Sequence, residues 1–282
     1  MPFKFLSSLL FSRRIPLCAP GEKLIQNMSN ASCLVPKLRA AMPLGLPLSG
    51  SAQFSTAGLT TILEMVPTGK KICIVDLRQE CHGFVNGHAI SWCNERNRAN
   101  IHRTPQQIEK LQKGKLAALS RLTQITLQHK TTNDFFSLQV DNVCDEQELA
   151  TALGVGYIRL YITDHLRPSD AIVDQIVALI RQLPADGWLH IHCAAGQGRT
   201  TTFMSLVDMM YHGSTLTWQD IACRQWQLGG SDLLTPPTEE EEWKNSAHRE
   251  RVQFLELFST YCRANPDFSI SWSRWSSNAS QN

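Results

Sequence analysis

Helical and strand spacing of apolar residues alternate along most of the chain. In "SDAIVDQIVALIRQLP" (169–184), Ile172, Val173, Ile176, Val177 and Ile180 recur at helical spacing. The pattern predicts a helix capped by Ser169 or Asp170 and stopped by Pro184. The run "WLHIH" (188–192) predicts a short buried strand, and "GRTTTFMSLVDMMYH" (198–212) a helix with Phe203, Val207 and Met210 on one face. Upstream, "KICIVDLRQE" (71–80) reads as a buried strand over Ile72–Val75 that ends in a charged loop. A charged helical stretch follows around 104–120. "LTQITLQ" and "FFSLQVDNV", separated by the turn residues of "HKTTND", predict a hairpin. "EQELATALG" (146–154) reads as a short helix closed by Gly154, and "GYIRLYIT" as another strand. Strands alternating with helices predict an α/β fold whose sheet is largely parallel, with a small β-rich insertion at about 115–150. The first 35 residues and the last few, 276–282, lack sustained periodicity. They are expected to form an N-terminal extension, disordered or targeting, and a C-terminal tail.

Composition narrows this picture. With 282 residues, 43% of them hydrophobic, the chain can bury one large core. A formal charge of +2 gives no bulk attraction to nucleic acid or membrane, so any basic site must be local. The nine cysteines are odd in number and scattered, and they suggest neither a zinc site nor a disulfide scaffold. That fits a reducing compartment, or a secreted protein with unpaired thiols. No metal and no cofactor are expected. The apolar stretch Phe5–Phe11 is short and is followed by Arg13 and Arg14, and no clear cleavage site comes after it. A transmembrane span needs a longer uncharged run than any present. Localisation is left between cytoplasm and secretion or delivery into another cell, with the periplasm less favoured. The sequons at Asn27, Asn30 and Asn278 are read as chance.

The chemistry concentrates in "HCAAGQGRT" (192–200), between the strand and the helix. Loop N–H groups and a helix N-terminus converge there on the space above Cys193, which favours an anion: first a thiolate, then a phosphate oxygen. Such surroundings lower a thiol pKa from about 8.5 to between roughly 3.5 and 7.5. Gly196 and Gly198 permit a tight turn and close approach. Arg199 can grip two phosphate oxygens with its planar fork, and Thr200 can hydrogen-bond the sulfur. A lone cysteine beside a glycine turn is usually structural, but here several independent requirements coincide. A nucleotide-binding P-loop is excluded because no Lys-Ser/Thr pair follows the glycines.

The segment resembles the phosphate-binding loop of cysteine-dependent phosphatases, and more narrowly that of the protein-tyrosine-phosphatase-like inositol phosphatases, the bacterial PTP-like phytases. "SGSAQFSTAGL" (49–59), "VDLRQECHGFVNGHAISW" (75–92), "YIRLYITDHLRP" (157–168), "LPADGWLHIHCAAGQGRTT" (183–201) and the late "WK…FSISWSRW" resemble family segments in family order, over about 36–275. The resemblance implies a PTP-like three-layer fold and a phosphomonoesterase acting on inositol polyphosphates through a cysteinyl-phosphate. Its site would comprise Cys193, Arg199 and a loop of His192, Ala194, Ala195, Gly196, Gln197, Gly198 and Thr200. The general acid implied is Asp164 of "TDH". It stands at the end of a strand on the same sheet edge, where it would otherwise cap the next helix.

For a substrate carrying many phosphates, "WKNSAHRER" offers Lys244, His248 and Arg251 at i, i+4 and i+7 of one helical face. The family places substrate contacts at these positions, although the same face could merely balance the acidic run 239–242. His165, Arg39 and Arg78 are further candidates implied by the resemblance, with Arg78 equally able to brace the loop through Asp76 or Glu80. The chain departs from the family pattern at Cys81 (usually Ser), Ala194 (commonly Glu), and Asn97 and Arg98 (Asp and Trp). Gln197 is neutral where phosphoinositide phosphatases often carry Lys. A tyrosine or dual-specificity protein phosphatase, or a silent inositol-phosphate-binding module, would use the same loop.

Overall fold

A computed structural model describes residues 17–27, 32–237 and 242–279. In chain order the elements are β1 (Lys23–Gln26), β2 (Arg39–Ala40), β3 (Leu48–Ala52), α1 (Thr56–Met65), β4 (Lys71–Arg78), β5 (His82–Val85), β6 (His88–Cys93), α2 (Pro105–Leu119), β7 (Gln124–His129), β8 (Phe135–Gln139), β9 (Val143–Cys144), α3 (Glu146–Ala152), β10 (Gly156–Ile162), α4 (Asp170–Arg181), β11 (Gly187–Cys193), α5 (Gly198–His212), α6 (Trp218–Gln227), α7 (Glu242–Ala264) and α8 (Trp272–Ala279).

The sheet that carries the Cys193 loop is five-stranded in the order β10-β4-β11-β3-β2, parallel except for the β2–β3 pair. Side-chain alternation along β4 sorts its two faces. Val75 and Leu77 pack into the core formed with α4, α5, α6, α7 and α8, while Ile74 packs on the opposite face with Leu59 and Ile62 of α1 and Leu149 of α3. Helices thus cover both faces of a mostly parallel sheet, as the alternating pattern predicts.

α4 begins at Asp170 with Ser169 at its N-cap, and it buries Val173, Ile176, Val177 and Ile180. The one-sided face predicted for α5 is corrected. Every residue from Arg199 to Met209 is buried, because the helix runs between the sheet and the α6 and α7 layer.

The β-rich part is larger than the predicted 115–150. A second sheet, in the order β8-β7-β1-β6-β5-β9, takes strands from 82–144 and adds Lys23–Gln26, which lies inside the predicted N-terminal extension. α2 packs on this sheet through Ile108, Leu116 and Leu119. The β5–β6 hairpin turns at Asn86 and Gly87, with φ of 50° and 81°, the left-handed pair that a two-residue type I′ turn requires. Of the sequons, Asn27 is fully buried, its carboxamide oxygen accepting from the Ser91 hydroxyl, and Asn30 lies outside the described residues.

Candidate active site

β11 ends at Cys193 and α5 begins five residues later at Gly198. The turn between them is forced by Gly196. Its φ is 66°, and a Cβ there would lie 2.3 Å from the Ala52 nitrogen, so the loop can lie against β3 only with glycine at this position. Gln197 occupies the N-cap of α5 and makes no side-chain cap hydrogen bond, which leaves the first-turn amides to a ligand.

Cys193, Ala194, Ala195, Gln197, Gly198 and Arg199 line a cavity of about 320 Å³, closed on its other sides by Asn97, Lys130, Asp164, His165 and Arg251. Cys193 is 3% exposed. Burial pushes its thiol up, but the Arg199 guanidinium and hydrogen bonding from Thr200 outweigh this and bring it below its ordinary value, against the opposing charge of Asp164. Arg199 is held from behind by Glu80, with Nη1–Oε2 at 2.8 Å and Nη2–Oε1 at 2.9 Å, and by the carbonyls of Leu77 and Ile162. Its buried Nε has no hydrogen-bond partner among the described residues. A donor left in this state beside the sulfur suits an incoming anion.

Asp164, just past the end of β10, lies across the cavity. Its Oδ1 is 3.0 Å from Arg199 Nη2 and accepts from the His165 N–H at 3.1 Å, while its Oδ2 accepts from Asn97 Nδ2 at 2.7 Å. Burial raises this carboxyl and the Glu80 charge adds to the rise. Arg199, His165 and the Asn97 hydrogen bond prevail and hold it below the usual aspartate value.

The predicted cations fall into two groups. Lys244, His248 and Arg251 share one face of α7 and line a second cavity of about 260 Å³ together with His165 and Gly198. Gly198, His165 and Arg251 border both cavities, so the two are continuous. Arg251 donates to the His165 carbonyl at 2.6 Å. Burial lowers the His165 imidazole, which favours its neutral form near pH 7.

Arg39 and Arg78, by contrast, do not border either cavity. Arg78 is fully buried and commits Nε to Glu80, Nη1 to Gln53 and Nη2 to Ser91, so bracing is the alternative realised. Arg39 donates to the Gly196 carbonyl at 2.9 Å and to the Thr201 hydroxyl at 3.2 Å, tying the loop and α5 to β2. Burial lowers its pKa to about 10, against the pull of the Cys193 charge. His192 is likewise behind the loop. Its Nε2 lies 2.6 Å from the buried Glu146 at the start of α3, and Glu146 is also 3.5 Å from His82.

Three contributors went unread in the sequence. Lys130 reaches the cavity from the turn after β7, and its backbone N–H is fixed by the Gln26 carbonyl at 3.2 Å. Glu80 pins Arg199. Trp243 packs edge-on against His165, with Arg96, Arg98 and Lys244 over its ring. All three depend on the second sheet or on contacts remote in sequence. The signal within reach was the Asn86-Gly87 pair, which announces the hairpin carrying β5 and β6.

All nine cysteines are unpaired, and among the described residues no group of three or more His, Cys, Asp or Glu is placed to hold a metal ion. No helix among those residues is long and apolar enough to cross a membrane.

With a Cys-to-Arg loop at a strand–helix junction, an opposed aspartate and a cationic wall, this chain belongs to the PTP-like phytase family, a family of phosphatases. The family model, described as "Inositol hexakisphosphate", matches residues 75–211. A PTP-like phytase from Bdellovibrio bacteriovorus is similar at TM-score 0.77 and 30% identity, over 94% of this chain and 98% of that one. The PTP-like myo-inositol phosphatase from Mitsuokella multacida, solved in complex with myo-inositol-(1,3,4,5)-tetrakisphosphate, is similar at TM-score 0.86 and 30% identity, over 94% of this chain and 49% of that one. The effector protein hopD2 of Pseudomonas syringae pv. tomato is 30% identical over 251 residues, 83% of this chain and 54% of that protein. The chain therefore spans about half the length of these last two relatives.

Proposed function

We propose that the protein hydrolyses phosphomonoesters of inositol polyphosphates through a phosphocysteine at Cys193. The observation that carries this reading is the convergence of Cys193, Arg199 and Asp164 on one cavity that opens onto Lys130, His165, Lys244, His248 and Arg251. Lys130, Lys244 and Arg251 add their charges to that of Arg199 around a single reacting phosphate, which suits a small ring bearing several others. The Mitsuokella neighbour, solved with an inositol tetrakisphosphate, supports the same substrate class.

In the first step the Cys193 thiolate attacks phosphorus, the P–O ester bond breaks, and Asp164 gives its proton to the departing alkoxide. Arg199 Nε and the loop amides neutralise the equatorial oxygens. In the second step water attacks the phosphocysteine, Asp164 takes a proton from it, and the thiolate leaves as inorganic phosphate forms. Asp164 must be protonated to begin. Its ordinary bond to Arg199 favours the anion, so a dianionic phosphate drawing on Arg199 restores the proton when it is needed.

The same loop chemistry also admits a phosphotyrosine substrate, whose ring would meet the half-buried Trp243 beside His165. Phosphate release from inositol hexakisphosphate and from a phosphotyrosine peptide, compared as kcat/KM, separates the two readings. Cys193→Ser should abolish release from the preferred substrate and leave its binding intact. Release at near the wild-type rate sinks the phosphocysteine.

A further inference from the structure

The Asn97 side chain makes its hydrogen bond directly to the proposed acid, Asp164. Glu95–Asn97 form a single turn after β6, and Arg96 and Asn97 both take left-handed φ, 58° and 54°. Two successive non-glycine residues in that region are costly, and asparagine is among the few side chains that tolerate it. The turn is thus held in a shape that sets the Asn97 amide against Asp164, with Nδ2 2.7 Å from Oδ2. The reverse orientation of the amide would put two oxygens together at that distance, which an ionised carboxylate does not accept.

The two Asp164 oxygens are therefore unequal. Oδ2 takes its hydrogen bond from the Asn97 amide, with His165 Nε2 farther off at 3.8 Å. Oδ1 faces Arg199 and the His165 N–H. Of these donors, Arg199 is the one that an arriving phosphate also uses. When the phosphate draws on it, Oδ1 loses a donor and Oδ2 loses none. A proton placed on Oδ2 would point at the amide hydrogens of Asn97, whereas one on Oδ1 points toward Arg199 and the loop.

We propose that Asn97 is a positioning residue that keeps Oδ2 as an acceptor and so makes Oδ1 the oxygen that delivers the proton to the leaving group. The inference rests on Asp164 being the general acid. The charged groups facing that carboxylate are Arg199 of α5, Glu80 after β4, His165 beside it, Cys193 at the end of β11 and Arg251 of α7, with the half-buried Cys93 of β6 also within electrostatic reach. None of them contacts Oδ2 in the way Asn97 does.

The test uses Asn97→Asp and Asn97→Ala in the full chain, with inositol hexakisphosphate and p-nitrophenyl phosphate as substrates and Asp164→Asn as control. The alkaline limb of kcat reports loss of the acid's proton. A second carboxylate at 97 disfavours ionised Asp164, so in Asn97→Asp the limb should move to higher pH by roughly one unit on the inositol substrate. Asn97→Ala should move it the same way by less, and should lower kcat by between about 10- and 100-fold through misplacement of the acid. On p-nitrophenyl phosphate, whose leaving group needs little protonation, both variants should stay within about twofold of wild type. An unmoved limb, or equal losses on both substrates, overturns the proposal and leaves the acid role of Asp164 standing, provided Asp164→Asn removes the limb. If Asp164→Asn leaves the limb in place, the acid assignment and the role of Asn97 fall together.

Discussion

Arg199 and Glu80 form a two-point ion pair closed to solvent, with their side chains 1% and 3% exposed and their N–O distances 2.8 and 2.9 Å. Burial raises the Glu80 carboxyl, but Arg199 and Arg78 hold it well below the glutamate range, and Arg199 in turn stays well above its ordinary value. The pair occupies both terminal nitrogens of the guanidinium and leaves its buried Nε without a hydrogen-bond partner among the described residues. Removing one partner strands a buried charge, so Glu80→Ala should cost about 3–5 kcal/mol of stability. Denaturant midpoints and kcat should fall together. A variant of wild-type stability would show that Arg199 is held by something else.

Arg39 is expected to behave as a brace. Arg39→Met takes the side-chain donor from the Gly196 carbonyl and leaves the Thr201 hydroxyl only the Ser231 N–H, at a cost of about 1–3 kcal/mol. Because the loop serves every substrate, kcat should fall by a similar factor for inositol hexakisphosphate and for p-nitrophenyl phosphate. A selective rise in KM for the polyphosphate would return Arg39 to substrate contact.

The cationic wall should act in the opposite manner. Lys130→Ala, Lys244→Ala and Arg251→Ala are each expected to raise KM for inositol hexakisphosphate by roughly 10-fold or more, the scale of a lost charge-assisted hydrogen bond. KM for p-nitrophenyl phosphate should change little with Lys130 or Lys244. Raising the salt concentration should weaken polyphosphate binding in the wild type and less so in the variants. Equal effects on both substrates would argue against a pocket built for several phosphates.

Stability should fall on acidification in two stages. Burial lowers the His190 imidazole well below its ordinary value, so the unfolded chain gains a proton first and stability starts to decline below about pH 6.5. Glu80 and Glu146 are both depressed in the folded state despite their burial, Glu80 by Arg199 and Arg78 and Glu146 by its contacts with His192 and His82. Their contribution is present above the unfolded glutamate value, about 4.3, and is lost as pH falls further, which makes the second stage steeper. Thermal midpoints measured from pH 7.5 to 3.5 check this. A flat profile through pH 4 would mean that these carboxylates are not held ionised.

Much of the catalytic frame could be read from local pattern. The α4 stripe, the β11–loop–α5 junction and the Cys193 to Arg199 spacing are properties of short contiguous stretches, where periodicity and glycine placement determine the backbone. The α7 cations were legible for the same reason, since i, i+4 and i+7 share a helical face whatever the helix packs against. The second sheet was not legible to the same degree. β1 joins β6 and β7 from more than sixty residues away, and such pairings leave no local mark.

The roles of the basic residues were decided by tertiary structure alone. In sequence, Arg251 belongs to the α7 face and Arg39 and Arg78 are further candidates for substrate contact, Arg78 equally for bracing. In the fold, Arg78 is enclosed by Glu80, Gln53 and Ser91, Arg39 lies under Gly196, and only Arg251 borders the cavity. A guanidinium's function depends on which carbonyls and carboxylates surround it, and those come from distant segments. The sequence by itself determined the Cys193-to-Arg199 loop and the family to which the chain belongs. The packing of the second sheet and α7 around that loop decided which cations face the cavity, and which residue holds each oxygen of Asp164, because these depend on distances between elements rather than on order along the chain.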